Sequence, residues 1–186
     1  MPEKTHKERI IGSEPLFDGG FLHAEKLTVL LPNGKTALRE VTRHRGAVAV
    51  VPIWPDGSVT IVRQFRPAID QESIEVPAGL LDPNEDRLTA AKRELEEETG
   101  LLAENWYELA TVASSPGCSD EKVTLFAATK LSGGRMHLDE DEFLVAQRIP
   151  LEELHAMICS GQTLNASTVA AVLLAMEKIR SGEIVC

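Results

Sequence analysis

The stretch GLLDPNEDRLTAAKRELEEETGL, residues 79–101, decides how the rest of the chain is read. It predicts a helix from about Asp86 to Glu98, with Leu88, Ala91 and Leu95 as its inward stripe and Gly100 ending it in a left-handed cap. Glu94, Glu97 and Glu98 stand at i, i+3 and i+4, so on that helix they share one face. Like charges at i,i+4 weaken a helix by roughly 0.2–0.5 kcal/mol per pair. Such a cluster makes sense where a cation binds it. A face made only of carboxylate oxygens suits a hard ion, Mg²⁺ or Mn²⁺, rather than zinc. The plainer reading of the same run is a solvated acidic helix face.

The 186 residues fit one domain with at most a small appendage, and 43% hydrophobic residues suffice for a sizeable core. A formal net charge of −10, with basic residues only in scattered pairs, argues against a surface built to neutralise nucleic-acid phosphates. An acidic protein should also repel anionic ligands, but bound divalent cations would invert the local field. Cys118, Cys159 and Cys186 are odd in number and form no CxxC pair, so they read as free thiols in a reducing compartment. The histidines show no zinc-ligand spacing. The N-terminus MPEKTHKERI has no apolar segment of the kind that targets secretion, and no apolar run approaches 18 residues. The expected location is cytoplasmic, with no membrane and no nucleic-acid partner.

Outward from the acidic helix, the chain alternates strand and turn signals. Residues 8–45 read as β-structure. The strand-like segment 21–31 meets the turn Pro32-Asn33-Gly34-Lys35, and 36–42 can return beside it. Residues 47–53, 59–66 and 72–77 read as strands, the first two joined by Trp54-Pro55-Asp56-Gly57-Ser58. Residues 106–113, 122–131 and 143–148 read as further strands. Pro150 starts a helix that Gly161 stops, and Asn165 can cap a last helix over about 166–179. The expected fold is α/β: a mixed sheet flanked by helices in an α/β/α sandwich (residues 46–186), preceded by a small antiparallel N-terminal β-sheet (residues 1–45).

The glycines, the arginine and the acids of residues 79–101 together resemble the Nudix box, GX5EX7REUXEEXGU with U aliphatic, and match it at every defined position. The resemblance implies metal-dependent cleavage of a nucleoside diphosphate linked to some further group. It implies Glu94, Glu98 and a backbone carbonyl at Ala78 as metal ligands, with Glu97 a further ligand or a group behind the ligands. Gly79 would let the chain approach closely. Glu85 and Arg93 would form an orienting ion pair.

Three features outside the box resemble the ADP-ribose pyrophosphatase branch of that family. Pro116 lies sixteen positions after Gly100, within Ser115-Pro116-Gly117-Cys118-Ser119-Asp120-Glu121. In that branch Glu121 matches a contact to the terminal ribose; otherwise the segment is an ordinary Pro-Gly turn with an exposed acid. Arg63-Gln64-Phe65-Arg66-Pro67 resembles a strand whose last arginine approaches the diphosphate, which implies bidentate phosphate contact by Arg66. Glu140-Asp141-Glu142 matches an acidic loop, with Glu140 in the place of the general base and Glu142 of a fourth metal ligand. Two acids one residue apart on a strand edge would face the same side. Branch members resemble intertwined homodimers in which the N-terminal sheet serves the partner's base site. Here that segment includes Arg43 and His44, and His44 stands where some relatives have arginine. Phe17 or Phe21 could stack on a base or belong to the core.

The resemblance therefore implies an enzyme that uses Mg²⁺ or Mn²⁺, two or more ions per site, to split ADP-ribose into AMP and ribose 5-phosphate. Hydrolysis of another nucleoside diphosphate sugar, such as ADP-glucose or GDP-mannose, fits the same residues. A non-catalytic ADP-ribose sensor fits them less well, because every acid of the box is intact.

Overall fold

The computed structural model describes residues 6–138, 142–162 and 165–185. The chain divides into two compact units. One comprises the described residues up to Arg45 together with Ala113–Lys122; the other comprises Gly46–Val112 and the described residues from Val123 onward.

In the first unit, β1 (Arg9–Asp18), β2 (His23–Leu30) and β3 (Thr36–Arg43) form an antiparallel sheet in the order β1-β2-β3. The β2–β3 turn closes because Gly34 takes φ 80°, its N–H donating to the Leu31 carbonyl at 2.9 Å, while Asn33 Oδ1 accepts from Lys35 N–H. β1 has irregular register at Ile10/Gly12 and at Pro15/Phe17. Proline cannot donate to a ladder, so Pro15 is tolerated where pairing slips on an edge strand. The loop 113–122 joins β3 through Thr42 N–H to the Cys118 carbonyl at 2.8 Å and Asp120 N–H to the Thr42 carbonyl at 3.2 Å.

The second unit holds two sheets, ordered β10-β5-β6 and β7-β4-β9-β8. Their strands are β4 (Ala47–Pro52), β5 (Ser58–Arg66), β6 (Gln71–Glu75), β7 (Ala78–Leu80), β8 (Leu101–Ala113), β9 (Lys122–Gly133) and β10 (Leu144–Pro150). β4 runs parallel to β9 and antiparallel to β7, which makes the four-stranded sheet mixed. The helices are α1 (Arg87–Thr99), α2 (Leu151–Cys159) and α3 (Ala166–Arg180).

The alternation of β4 shows why helices cover both faces. Val48 and Val50 pack with Ala90, Ala91 and Leu95 of α1. Ala49, Val51 and Ile53 pack with Leu154 of α2 and with Ala171, Val172 and Ala175 of α3. A strand buried on both sides must be apolar at every position, and 47–53 is. β9 repeats the pattern: Phe126 and Ala128 face α1, while Val123, Leu125 and Ala127 face the other cluster. Each fully buried valine or leucine contributes about 1.5–3 kcal/mol against leaving it in water. The result is the expected α/β/α arrangement with a small antiparallel sheet at the N-terminus.

Local expectations fare unevenly. The helix of the acidic run forms, with Asp86 Oδ1 accepting from Leu88 and Thr89 N–H at 3.1 Å and Gly100 at φ 65°. Its inward stripe is Ala90, Ala91 and Leu95; Leu88 stays 37% exposed because it lies in the first turn, before the helix meets the sheet. β8 begins at Leu101, directly after the glycine cap, rather than near Trp106. β10 begins at Leu144, and Phe143 is 84% exposed. No helix among the described residues is long and apolar enough to cross a membrane.

Candidate active site

The site grows from the contact between β7 and α1. β7 pairs antiparallel with β4, placing Ala78 opposite Ala49 and Gly79 opposite Val48. α1 crosses it so that Glu94, at 8% exposure, and Glu98, at 2%, sit in the core layer with Leu95. Gly79 is not in a left-handed conformation; its glycine is a matter of space. A Cβ there would lie 2.1 Å from Glu94 Cδ, so the Glu94 carboxylate fills the volume that any other side chain would claim. Ala78 N–H donates to Glu98 Oε2 at 3.0 Å.

Arg93 ties these acids together. Its Nε and Nη2 donate to Glu85 Oε1 and Oε2 at 3.0 and 2.8 Å, Nη2 also donates to the Leu80 carbonyl at 2.9 Å, and Nη1 reaches Glu94 Oε1 at 2.8 Å and Glu97 Oε2 at 2.9 Å. One guanidinium thus spans the loop after β7 and one face of α1. The Arg93 hydrogen bonds hold the Glu85 carboxyl below its ordinary value, and Glu85 in turn raises Arg93. Glu97 is half-buried and shares Arg93 Nη1 with the buried Glu94, whereas Glu98 is buried with no ion pair among the described residues.

Burial dominates Glu94 and Glu98. It pushes Glu94 up to about 7, against the opposing pull of Arg93, and Glu98 up to about 9, against the Ala78 N–H. Glu142, in irregular chain just before β10, adds repulsion to both. Because Glu142 is not in a strand, the period-two argument for its orientation does not apply. Glu140 lies outside the described residues.

Arg66, at the end of β5, points its fork at Glu75 of β6: Nε to Oε1 at 2.8 Å and Nη2 to Oε2 at 2.7 Å. The Glu75 hydrogen bonds raise Arg66, and Glu98 and Glu142 also act on it electrostatically. Sequence patterning does not single out Glu75. A hairpin count would have found it: Arg66 pairs with Gln71 and Val62 with Glu75, so Arg66 and Glu75 fall on one face.

The residues expected to contact the sugar and base lie in the first unit. His44 Nε2 is 3.3 Å from Glu121 Oε1, and Ser114 Oγ donates to Glu121 Oε2 in a short contact. His44 N–H donates to Asp120 Oδ1 at 2.8 Å. Arg43 is engaged by Glu25 through Nε and Nη2, at 3.0 and 2.9 Å, and by Asp120 at 3.2 Å. Phe21 meets the His44 ring edge-on with centroids 5.8 Å apart; Phe17 and Phe21 are both exposed rather than core. Pro116 sits in a turn closed by Cys118 and Ser119 N–H to the Ser115 carbonyl.

Among the described residues no three His, Cys, Asp or Glu side chains gather closely enough to cage an ion. The donor set still suits Mg²⁺, which is commonly held by one or two carboxylates and completed by water and phosphate oxygens. Glu94 Oε2 and Glu98 Oε1 carry no protein hydrogen bond among the described residues, although both side chains are buried. Buried acceptors of that kind are costly without a partner, and a cation supplies one.

The NUDIX domain model matches residues 43–168. An ADP-ribose pyrophosphatase of Bacillus subtilis (strain 168) is 37% identical over 171 residues, covering 91% of this chain and 92% of that protein. A methanol dehydrogenase activator of Bacillus methanolicus is 39% identical over 171 residues with the same coverage. The crystal structure of an ADP compounds hydrolase superposes with a TM-score of 0.87 at 26% identity, covering 97% of this chain and 98% of that one. The chain belongs to the Nudix family and is a Nudix pyrophosphohydrolase.

Proposed function

We propose that this Nudix pyrophosphohydrolase hydrolyses the diphosphate of ADP-ribose, with Mg²⁺ or Mn²⁺, to AMP and ribose 5-phosphate. The observation that carries the chemistry is the pair of buried carboxylates, Glu94 and Glu98, each with an oxygen that no protein donor satisfies among the described residues. The likeness to an ADP-ribose pyrophosphatase over nine-tenths of both chains supports the substrate.

Phosphoanhydride hydrolysis asks for charge neutralisation, an oriented water and in-line departure of the leaving phosphate. Two or more divalent cations held by Glu94, Glu98, the Ala78 carbonyl and Glu142 would neutralise the phosphate oxygens. Arg93 keeps Glu94 and Glu97 in place and is itself fixed by Glu85. Arg66 contributes a guanidinium to the diphosphate. Gly79 leaves the room that Glu94 needs.

Water attacks one phosphorus, the bridging P–O bond breaks, and the leaving phosphate takes the electron pair. Glu140 is assigned the water proton. A glutamate can act so only while ionised near neutral pH, which neighbouring cations favour. Glu121, His44, Arg43 and the turn at Pro116 are assigned to the ribose and base. The active species is taken to be a homodimer joined through the N-terminal sheet, whose Ile10, Ile11, Leu16, Phe17 and Leu38 are exposed.

Hydrolysis in ¹⁸O-labelled water tests the chemistry. AMP and ribose 5-phosphate should form in equal amounts, with a single label on one of the two phosphates. Ribose or free phosphate as the first product would contradict it. The breadth implied by a neighbour described as a hydrolase of ADP compounds favours a second reading, in which other ADP-linked sugars are taken as well.

A further inference from the structure

We propose that Glu75 is a positioning residue for the reaction, holding the Arg66 guanidinium so that its free edge meets a substrate phosphate. The inference rests on the diphosphate-hydrolase reading above.

Glu75 is a carboxylate almost entirely inside the protein: its side chain is 2% exposed, against 44% for Arg66. Burying a carboxylate costs several kcal/mol unless a cation meets it with good geometry. Here the geometry is a two-point fork, at 2.8 and 2.7 Å, formed across the β5–β6 hairpin. The fork uses Nε and one N–H of Nη2. Arginine carries five N–H donors, so both donors of Nη1 and one of Nη2 have no hydrogen-bond partner among the described residues. That remaining edge is the shape that accepts two oxygens of one phosphate.

The position matters as much as the fork. Arg66 lies within electrostatic reach of Glu98 and Glu142. Unanchored, a guanidinium there would be drawn onto whichever carboxylate lay nearest. Glu75 fixes it on a two-stranded hairpin, at the end of a strand that pairs on both sides. A binding group already locked in its bound geometry loses less conformational freedom when ligand arrives.

The test is a double-mutant cycle of Glu75→Gln, Arg66→Met and the two combined. ADP with MgCl₂ serves as the calorimetric probe, with kcat/KM for ADP-ribose measured alongside and a thermal melt for each variant. Glu75→Gln is expected to weaken ADP binding about tenfold or more, and the double variant should bind within about twofold of Arg66→Met, since contacting groups are strongly non-additive. Losses that multiply, or wild-type ADP affinity in a folded Glu75→Gln protein, would overturn the proposal. If Glu75→Gln does not fold, Glu75→Asp takes its place in the same cycle; it keeps the charge but is too short to span both nitrogens. Coupling on ADP with no turnover of ADP-ribose by the unaltered protein would overturn the substrate reading and leave the Glu75 assignment standing.

Discussion

The Glu94 carboxylate occupies the space beside Gly79 that a β-carbon would need, 2.1 Å from the position such an atom would take. Two features of the box that stand fifteen residues apart in sequence are thus one steric fact. Gly79→Ala cannot be accommodated by a change of backbone angle, because the obstacle is the carboxylate, itself held by Arg93 at 2.8 Å. The expected outcome is a fall in kcat of about 10²-fold, the scale of an ångström's misplacement of a working group. Circular dichroism should show the helices intact. Gly79→Ala with near-native turnover would mean that the position of Glu94 is not critical.

Glu98 makes stability depend on pH in an unusual direction. Its carboxyl is raised from 4.5 to about 9 by burial, so the metal-free fold favours the protonated form. The stability this confers is fully present below pH 4.5 and is lost as pH rises toward 9. At about 1.4 kcal/mol for each pH unit between the two values, the loss is on the order of 6 kcal/mol. In chelator at pH 8–9, Glu98→Gln should therefore melt several degrees above the unaltered protein, and the two should converge near pH 4.5. The same substitution should abolish turnover and the rise in Tm expected on adding Mg²⁺. A Glu98→Gln protein that is less stable at pH 9 would show that the carboxylate has a cationic partner in the fold.

Arg93→Lys tests the hub. Lysine brings a point charge in place of a planar fork and cannot serve Glu85, Glu94, Glu97 and the Leu80 carbonyl together. Glu85, with its side chain 11% exposed, would lose its two-point partner. Stability should fall by about 1–3 kcal/mol, the cost of leaving such a group unsatisfied. Turnover should fall more than tenfold, read by denaturant melts and steady-state kinetics on the same preparation.

Asp86→Ala separates the helix from the chemistry. Asp86 caps α1 through Leu88 and Thr89 N–H, and it is exposed. Loss of the cap should cost about 0.5–2 kcal/mol, with kcat unchanged within twofold. A large fall in kcat would place Asp86 in the reaction.

The parts legible in the sequence are those where local chemistry and tertiary role coincide. Residues 79–101 announce the helix, its glycine stop and its acidic face because helix period, cap and charge all agree. The two-sided burial of β4 follows from an unbroken apolar run. Leu88 falls outside the buried stripe because helix period alone does not say where along its axis a helix meets the sheet. β1 falls inside the stretch read as β-structure, but its bounds are not legible, since Gly12 and Pro15 look like turn residues and sit where the register is irregular. Glu75 is hidden for a related reason: a carboxylate in a short strand reads as solvent-facing until the hairpin register puts it on the same face as an arginine. The position of Glu142, in a loop, follows from no period at all.

The most direct measurement is parallel steady-state turnover with Mg²⁺ on ADP-ribose, ADP-glucose, GDP-mannose and a nucleoside triphosphate, each repeated with chelator and products separated chromatographically. Metal-dependent hydrolysis of ADP-ribose predicts the highest kcat/KM for that substrate, AMP among its products, and no turnover in chelator. Turnover that survives chelation, or a triphosphate preferred over every diphosphate sugar, would contradict it.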